Sequence, residues 1–375
     1  MGNGPTLILL YGNLGSGEAE AVLARTRLAA AKTNALAAQA GGFGNVILAT
    51  DSDAVTADAS FSIDYDGTRT TFSLWKRIKQ LVTNLSGQGV AVMGAGALPL
   101  LTASDFAAVR EEINKGGNVA VTNNFYSSDL TAWSPAERLE QLGAFDRDNV
   151  LPRMLRDKAG CEVTVLPRTV RTAFDLDTPA ELSVLALSEA TPRNVLDTLP
   201  LKGSLPLAQY QAFMPLLCNP NAEILVAGRV GSSTWKHLER ETACRVRIVS
   251  EERGLSGAPE GHLPRSLIGR LLEELGLQRF TAELASLADG IVLDTRILLA
   301  QAGSKAVRED RFQSDLLTSE KIADPWLRDL TAALKSMGPP VLLGGHSLVN
   351  GGLMALSDQA WLENDRRLGR TPPLS

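Results

Sequence analysis

The sequence has few cysteines, few histidines and no excess of positive charge, and each shortage excludes a class of function. Cys161, Cys218 and Cys244 are far apart and no CxxC pair occurs, so neither a disulfide framework nor a zinc site is indicated. Lysine and arginine number 37 against 42 acidic residues, which leaves no positive excess for the phosphates of a nucleic acid. We therefore expect no nucleic-acid partner and, because free thiols suit a reducing compartment, a cytoplasmic protein.

Long apolar runs are also missing. The first one, residues 6–11, is far shorter than the roughly 18 residues of a membrane-spanning helix. No basic residue precedes it, so we expect neither an export signal nor a membrane partner. The 375 residues, 44% of them hydrophobic and with a net charge of −5, are typical of a globular protein large enough for two domains. Self-association into a homo-oligomer is left open.

What the sequence does contain is an alternation of short apolar runs with longer segments of helical periodicity. This alternation predicts an α/β fold in which a buried, mainly parallel sheet lies between helical layers. It occurs twice and is interrupted by a proline-rich stretch. We therefore predict a three-layer domain over 1–195, a connecting helical segment over 196–219 and a second, smaller α/β domain of unknown role over 220–375. Within the first domain, residues 135–160 are predicted to be helical.

Glycine-rich turns follow two of the predicted strands in the first domain. Ligands of open α/β sheets bind beyond the carboxyl ends of the strands, and a glycine-rich turn before a helix lets backbone amides approach an anion. A tight turn without a ligand explains the first of these turns, 12–17, equally well. The candidate nucleotide-binding residues are Gly12, Gly15, Gly17, Gly94, Gly96 and, from a later polar loop, Asn124.

Three acidic residues are candidates for the catalytic site. Asp175 and Asp177 flank one apolar residue, so an extended chain sends both carboxylates to the same side, where they could bind a divalent cation. Asp177 is equally well explained as the cap of the following helix. Asp129 ends the polar loop 123–129, which could hold a base, a ribose or an acceptor, or form a capped surface loop.

Residues 172–182, Thr-Ala-Phe-Asp-Leu-Asp-Thr-Pro-Ala-Glu-Leu, resemble a signature of nucleotidyltransferases with the glycosyltransferase-A-like fold. Molybdenum-cofactor and phospholactate guanylyltransferases carry this signature, Asp-hydrophobic-Asp-Thr-Pro-x-Asp/Glu-Leu, near the end of their domain. The resemblance covers about residues 6–190 and includes 96–105, which match a Gly-Asp-x-Pro-Leu-Leu strand end and a Thr/Ser-x-x-Asp/Glu helix start. It implies transfer of a nucleotidyl group from a nucleoside triphosphate to a small phosphorylated or sugar-like acceptor, with Mg²⁺ held by Asp175 and Asp177.

Two positions depart from that family pattern. Ala97 stands where the family has its first magnesium-binding carboxylate, and Glu18 follows the glycine-rich loop where the family has a basic residue. A methyl group offers no oxygen to a hard cation. Two alternatives follow: either other acids replace the missing ligand, or the domain is a non-catalytic nucleotide- or metabolite-binding protein on the same fold.

The second domain has polar residues at its own predicted strand ends. A strand-to-helix turn over 227–234 combines glycines, hydroxyls and an arginine, a composition that suits an anion. The candidate anion site consists of Arg229, Ser232, Asp294, Arg296 and His346. The alternative is that Asp294 pairs with an arginine and no ligand binds. A triad of Ser347, His346 and Asp294 is disfavoured because an adjacent Ser and His seldom point at each other.

Overall fold

A computed structural model of the chain describes residues 4–53, 55, 59–67, 72–85, 87–200, 203–255 and 264–370. It divides into two compact units whose segments interleave along the sequence. Unit 1 consists of Met1–Gly15, Ala24–Asp175 and Pro192–Thr198, and unit 2 consists of Ser16–Leu23, Leu176–Thr191 and Leu199–Ser375. Two short stretches that the sequence analysis assigns to the first domain, 16–23 and 176–191, therefore belong to unit 2.

Unit 1 is built on a seven-stranded sheet in the order β3-β2-β1-β4-β6-β5-β7. β6 runs antiparallel to both of its neighbours, and the remaining pairs are parallel. The strands are β1 (Thr6–Tyr11), β2 (Asn45–Thr50), β3 (Ser62–Tyr65), β4 (Val90–Gly94), β5 (Val119–Thr122), β6 (Leu130–Ser134) and β7 (Glu162–Val165).

The central position of β1 explains its unbroken apolar sequence. Alternate side chains of a strand point to opposite faces, and both faces of this sheet are covered. Leu7 and Leu9 lie in one apolar core and Ile8 lies in the other. All three are fully buried. A buried parallel strand therefore reads as a continuous apolar run, as the sequence analysis predicts.

The helices of unit 1 cover the two faces of its sheet. The helix α3 begins with a capping box, in which the side chains of Thr102 and Asp105 each accept a hydrogen bond from the other's backbone amide. Thr102 and Asp105 are the helix-start residues that the sequence analysis singles out in 96–105. The helices are α1 (Glu18–Ala40, whose first residues belong to unit 2), α2 (Leu74–Val82), α3 (Ala103–Ile113), α4 (Leu151–Ala159), α5 (Val170–Ala173) and α7 (Arg193–Leu196).

The helix predicted over 135–160 is wrong for most of its length. β6 ends at Ser134, and 3₁₀ turns at Ala136–Gln141 and Asp148–Val150 precede α4. Gly143 adopts a positive φ of 76°, which ends a helical segment rather than continuing one. Pro152 lies in the first turn of α4, where its missing amide hydrogen costs nothing.

Unit 2 contains a four-stranded parallel sheet in the order β11-β10-β8-β9. Its strands are β8 (Glu223–Gly228), β9 (Arg245–Ser250), β10 (Gly290–Asp294) and β11 (Val341–Gly344). Its helices are α6 (Ala180–Leu187), α8 (Leu207–Leu217), α9 (Ser232–Glu241), α10 (Leu267–Leu287), α11 (Thr295–Gln301), α12 (Arg308–Asp315), α13 (Pro325–Lys335) and α14 (Leu353–Arg367). A mixed α/β architecture with a larger and a smaller sheet is thus confirmed.

Two expectations from composition can be compared with the structure. The three cysteines are free thiols, in line with the absence of a disulfide framework. In the part of the chain that the structure describes, every helix is too short or too polar to cross a membrane.

Candidate functional site

Side chains accept hydrogen bonds from backbone amides of the first glycine-rich turn, residues 12–17. Gly15 has a φ of 124°, and its amide donates to the Oδ1 atom of Asn13 at 2.9 Å. The amide of Asn13 in turn donates to Asp51 Oδ1 at 3.0 Å, at the end of β2. Gly12 is exposed. The turn that contains Gly12 and Gly15 therefore follows β1 and is hydrogen-bonded to Asp51, the residue after β2.

The second glycine-rich turn follows β4 and is mostly buried. Gly96 and Ala97 lie inside, and Ala97 is 5% exposed. The carbonyl of Ala97 accepts a hydrogen bond of 2.9 Å from Asn34 Nδ2 on α1. Leu98 adopts a φ of +47°, a left-handed conformation that costs a non-glycine residue about 1–2 kcal/mol. The turn is thus held in a specific, strained geometry.

Asp175 lies directly beside this turn. Its backbone pairs with that of Ala97 in an isolated antiparallel bridge. The first acid of the 172–182 stretch, Asp175, therefore lies beside the turn after β4 in unit 1. Ala97 thus contributes only a methyl group beside Asp175.

Asn123 organises the polar loop that ends at Asp129. Its Oδ1 accepts the amides of Asp129 and Leu130 at 2.9 and 3.0 Å. Its Nδ2 donates to Asp129 Oδ2 at 2.8 Å and to the carbonyl of Thr172 at 3.1 Å. The neighbouring Asn124 accepts the amide of Tyr126 at 3.2 Å, so its side chain stabilises the loop itself.

A cation that sequence reasoning missed lies among these acids. Arg168 Nη1 donates to the carbonyl of Thr172 at 2.8 Å, the same carbonyl that Asn123 contacts. Burial lowers the pKa of Arg168, and the negative charges of Asp129 and Asp175 oppose that shift. The guanidinium therefore interacts electrostatically with two of the three predicted catalytic acids. In the sequence, Arg168 stands in no motif, and only its nearness to the acidic signature could have drawn attention to it.

The donor set around this turn does not fit Mg²⁺. Magnesium requires oxygen ligands in a near-octahedral arrangement. Ala97 contributes a methyl group and Arg168 a positive charge, while Asp177 has other partners. Among the described residues, no group of three or more histidine, cysteine, aspartate or glutamate side chains is arranged to hold a metal ion.

The amino terminus of α1, which includes the predicted phosphate-loop residue Gly17, is occupied by an acid of unit 2. Glu309 on α12 accepts the amides of Ala19 and Glu20 at 3.0 and 3.1 Å. Gly17 donates its amide to Glu20 Oε2 at 3.0 Å, and a Cβ atom on Gly17 would collide with the Glu309 carboxylate. The amides that the sequence analysis offers to a phosphate are thus bound by carboxylates.

Asp177 belongs to unit 2 and contacts residues that follow β11. The hydroxyl of Ser347 donates to Asp177 Oδ2 at 3.0 Å, and His346 Nε2 lies 3.4 Å from the same oxygen. The serine thus hydrogen-bonds the acid directly, which is not the order of a Ser-His-Asp relay. The predicted N-cap role is not observed either, because α6 begins at Ala180 after Pro179.

Glu181 completes the acidic signature inside unit 2. It is fully buried, and its Oε2 accepts the amide and hydroxyl of Thr178 at 2.7 and 3.0 Å. Its Oε1 is also buried and has no hydrogen-bond partner among the residues that the structure describes. Burial raises the pKa of Glu181 well above its usual value, and the charges of Asp177 and Asp315 add to the shift.

The candidate anion site of unit 2 is filled by ion pairs. Arg229 makes two hydrogen bonds to Asp294, at 2.5 and 3.0 Å, and Arg296 makes two to Asp315, both at 2.6 Å. Each guanidinium therefore has its own buried carboxylate. The alternative role of Asp294, as partner of an arginine, is the arrangement observed, and Asp294 also caps α11.

Ser232 begins α9, but a side chain from elsewhere already contacts the turn before it. Asn350 Oδ1 accepts the amide of Gly231 at 2.6 Å and the hydroxyl of Thr234 at 2.9 Å. Its Nδ2 donates to the carbonyls of Arg229 and His346 at 3.1 and 2.6 Å. Asn350 thus links Arg229, α9 and His346. Sequence reasoning missed it because its contacts with Arg229, Gly231 and Thr234 join residues more than 100 positions apart.

Comparisons with other proteins give no sequence relative. The chain matches no protein family profile and no characterised protein sequence. Partial structural similarity exists to a candidate nucleotide-diphospho-sugar transferase from Desulfovibrio desulfuricans G20, with 13% identity, a TM-score of 0.34, and coverage of 52% of this chain and 93% of the other.

Two further structures are similar to smaller parts of the chain. A Mycobacterium sp. strain JC1 homologue of Mycobacterium tuberculosis rv0371c is 15% identical, with a TM-score of 0.31 and coverage of 43% of this chain and 84% of the other. The bifunctional IspDF of Campylobacter jejuni is 11% identical, with a TM-score of 0.31 and coverage of 45% and 51%. TM-scores of this size support no inference about family or activity.

Proposed function

We propose that the chain is a nucleotidyltransferase-like protein whose first unit binds a nucleotide without carrying out magnesium-dependent nucleotidyl transfer. The sequence signature at 172–182 supports a nucleotide as the ligand. The mixed seven-stranded sheet, with polar residues at its strand ends, supports a binding site at those strand ends. The resemblance adds a small-molecule nucleotide and acceptor as expected ligands, and the free cysteines add a cytoplasmic location.

The observation that carries the proposal is the pairing of Ala97 with Asp175. It aligns the acidic signature with the strand end that corresponds to the family's metal ligand, and the residue there is an alanine. Catalysis of phosphoryl-type transfer depends on charge neutralisation and positioning at the transferred group. This site has the sequence pattern of the family, but Ala97 replaces an acid and Glu18 replaces a basic residue. These replacements favour nucleotide binding over nucleotidyl transfer.

A screen of nucleoside triphosphates tests this function. A ligand that binds the folded chain raises its melting temperature by mass action. We expect at least one nucleotide to stabilise the full chain in thermal-shift measurements, with and without Mg²⁺, and no release of pyrophosphate when phosphorylated or sugar-like acceptors are added. Absence of stabilisation by every nucleotide contradicts the proposal, and so does pyrophosphate release.

The second candidate is nucleotidyl transfer from a nucleoside triphosphate to a small phosphorylated or sugar-like acceptor. The nearness of Asp175 to Ala97 favours it, because this acid stands beside the position of the missing ligand. Magnesium-dependent release of pyrophosphate, abolished by Asp175→Asn, would establish transfer in place of binding alone.

A further inference from the structure

We propose that the guanidinium of Arg168 takes the place of a divalent cation beside the strand-end acids of unit 1. The inference rests on the proposed function for the identity of the site. Whether or not a nucleotide binds, the Arg168 guanidinium balances the negative charges of Asp129 and Asp175. These two acids therefore do not bind a metal ion.

The hydrogen-bond network connects Arg168 to the acids through one shared acceptor. The carbonyl of Thr172 accepts from Arg168 Nη1 at 2.8 Å and from Asn123 Nδ2 at 3.1 Å. The same Asn123 nitrogen lies 2.8 Å from Asp129 Oδ2. Thr172 precedes Asp175 by three residues, and the negative charges of Asp129 and Asp175 both act on the Arg168 guanidinium.

The segment that carries Arg168 is fixed in place. The hydroxyl of Thr172 donates to the carbonyl of Pro167 at 2.6 Å and accepts the amide of Thr169 at 2.9 Å. These bonds clamp the chain on both sides of Arg168. A cation held this way loses little further conformational entropy when it interacts with the acids.

Charge explains why this arrangement excludes a metal. A divalent ion near Asp129 and Asp175 would be repelled by the guanidinium, because like charges interact unfavourably at short range in a partly buried site. It would also lack an oxygen at Ala97. An arginine side chain stays protonated at neutral pH, so the positive charge of Arg168 is present under the conditions of a metal titration.

Removal of the guanidinium should convert the site into a cation site. We expect Arg168→Ala to bind Mn²⁺ at least about tenfold more tightly than the wild-type chain, because two carboxylates lose their counter-charge. Arg168→Lys keeps the charge and should behave as wild type. Arg171→Ala is the matched control. It also removes an arginine close to Arg168 in the sequence, but the guanidinium of Arg171 pairs with a different acid, Asp105, at 2.9 Å.

Mn²⁺ binding, followed by electron paramagnetic resonance of the free ion, is the direct readout. The gain in Arg168→Ala should disappear in the double variant Arg168→Ala/Asp175→Asn. Wild-type binding of Mn²⁺ that Asp175→Asn abolishes overturns the inference, and this arm needs no arginine variant to fold. Equal Mn²⁺ affinity in wild type and Arg168→Ala also overturns it; where Arg168→Ala is unfolded, Arg168→Met takes its place.

The same samples separate this inference from the proposed function. If no variant is stabilised by any nucleotide while Arg168→Ala gains Mn²⁺ affinity, the proposed function fails and the role of Arg168 stands. If the wild type binds nucleotide and also binds Mn²⁺ through Asp175, the role of Arg168 fails and nucleotide binding stands.

Discussion

At the scale of single residues, Glu181 has an environment that makes stability depend on pH. It is fully buried, and in the described part of the chain one of its carboxylate oxygens has no hydrogen-bond partner. An ionised carboxylate in such a position is costly unless it is compensated. Burial, together with Asp177 and Asp315, accordingly raises its pKa well above the usual value.

The sign of the pH dependence follows from this raised pKa. Below the unfolded-state pKa of Glu181 both states are protonated, and above it folding must take up a proton, so this group lowers the free energy of unfolding as pH rises toward its folded-state pKa. We expect the free energy of unfolding of Glu181→Gln to fall less steeply with rising pH than that of the wild type. Urea unfolding measured across a pH series checks this, with the exposed Glu274→Gln as control. A decline as steep in Glu181→Gln as in wild type would show that another group causes it.

A second residue-scale prediction concerns Ala97. Replacement by aspartate adds the oxygen ligand that the family pattern has there. We expect Ala97→Asp to produce magnesium-dependent nucleotide binding in combination with Arg168→Ala, and to do so much less in the presence of Arg168, which would pair with the new acid. Isothermal titration of both variants with and without Mg²⁺ compares them. A magnesium effect of equal size in both backgrounds would contradict the role given to Arg168.

Some residues of the candidate site can be found from the sequence and others cannot. Ala97 and Asp175 can be found because each stands in a short sequence motif with a defined spacing. Arg168, Glu309 and Asn350 cannot, because what gives each of them a role is a contact made only after folding. Glu309 contacts Ala19 across 290 positions, and no local spacing encodes such a pair.

At the scale of elements, the first turn of α1 depends on Glu309. The first amides of a helix have no partner within it, and this carboxylate accepts two of them. We expect Glu309→Ala to lower the free energy of unfolding by about 1–2 kcal/mol, the usual cost of a lost helix cap. Glu320→Ala, an exposed position of unit 2, should have little effect. Equal stability of the two variants in urea unfolding would contradict this assignment.

The strand ends of unit 2 depend on the pair of Arg229 and Asp294. The side chain of Asp294 is fully buried and that of Arg229 is 13% exposed, so loss of the arginine leaves a charge unpaired. We expect Arg229→Ala to destabilise the chain by about 3–5 kcal/mol, against almost no change for the exposed Arg240→Ala. A ligand-binding role for Arg229 predicts the opposite, weaker binding with nearly unchanged stability. Thermal unfolding with a double-mutant cycle that includes Asp294→Asn distinguishes the two.

Secondary structure follows from the sequence where one local signal dominates. The buried strands β1, β4 and β8 are apolar runs, and α10 is kinked at Gly276, which has a φ of 68°. Residues 135–160 have helical periodicity, but Pro135 and Gly143 limit regular helix to α4. β6 was missed because its pairing partners, β4 and β5, are what make it a strand.

At the scale of the whole molecule, each of the two compact units is made of segments that are not contiguous in the sequence. Composition and alternation predict two α/β domains in succession, yet residues 16–23 and 176–191 belong to unit 2. Asp175 and Asp177 thereby fall in different units, although they are two residues apart. A local pattern predicts that two carboxylates share one side of an extended chain, but tertiary packing decides the partner of each.

The central claim is that unit 1 binds a nucleotide without a metal. The most direct test is calorimetric titration of the full chain with the nucleotide that stabilises it most, once with excess Mg²⁺ and once with EDTA. We expect the two dissociation constants to agree within a factor of about 3, a difference below about 0.7 kcal/mol. Binding that is seen with Mg²⁺ and lost in EDTA would contradict it.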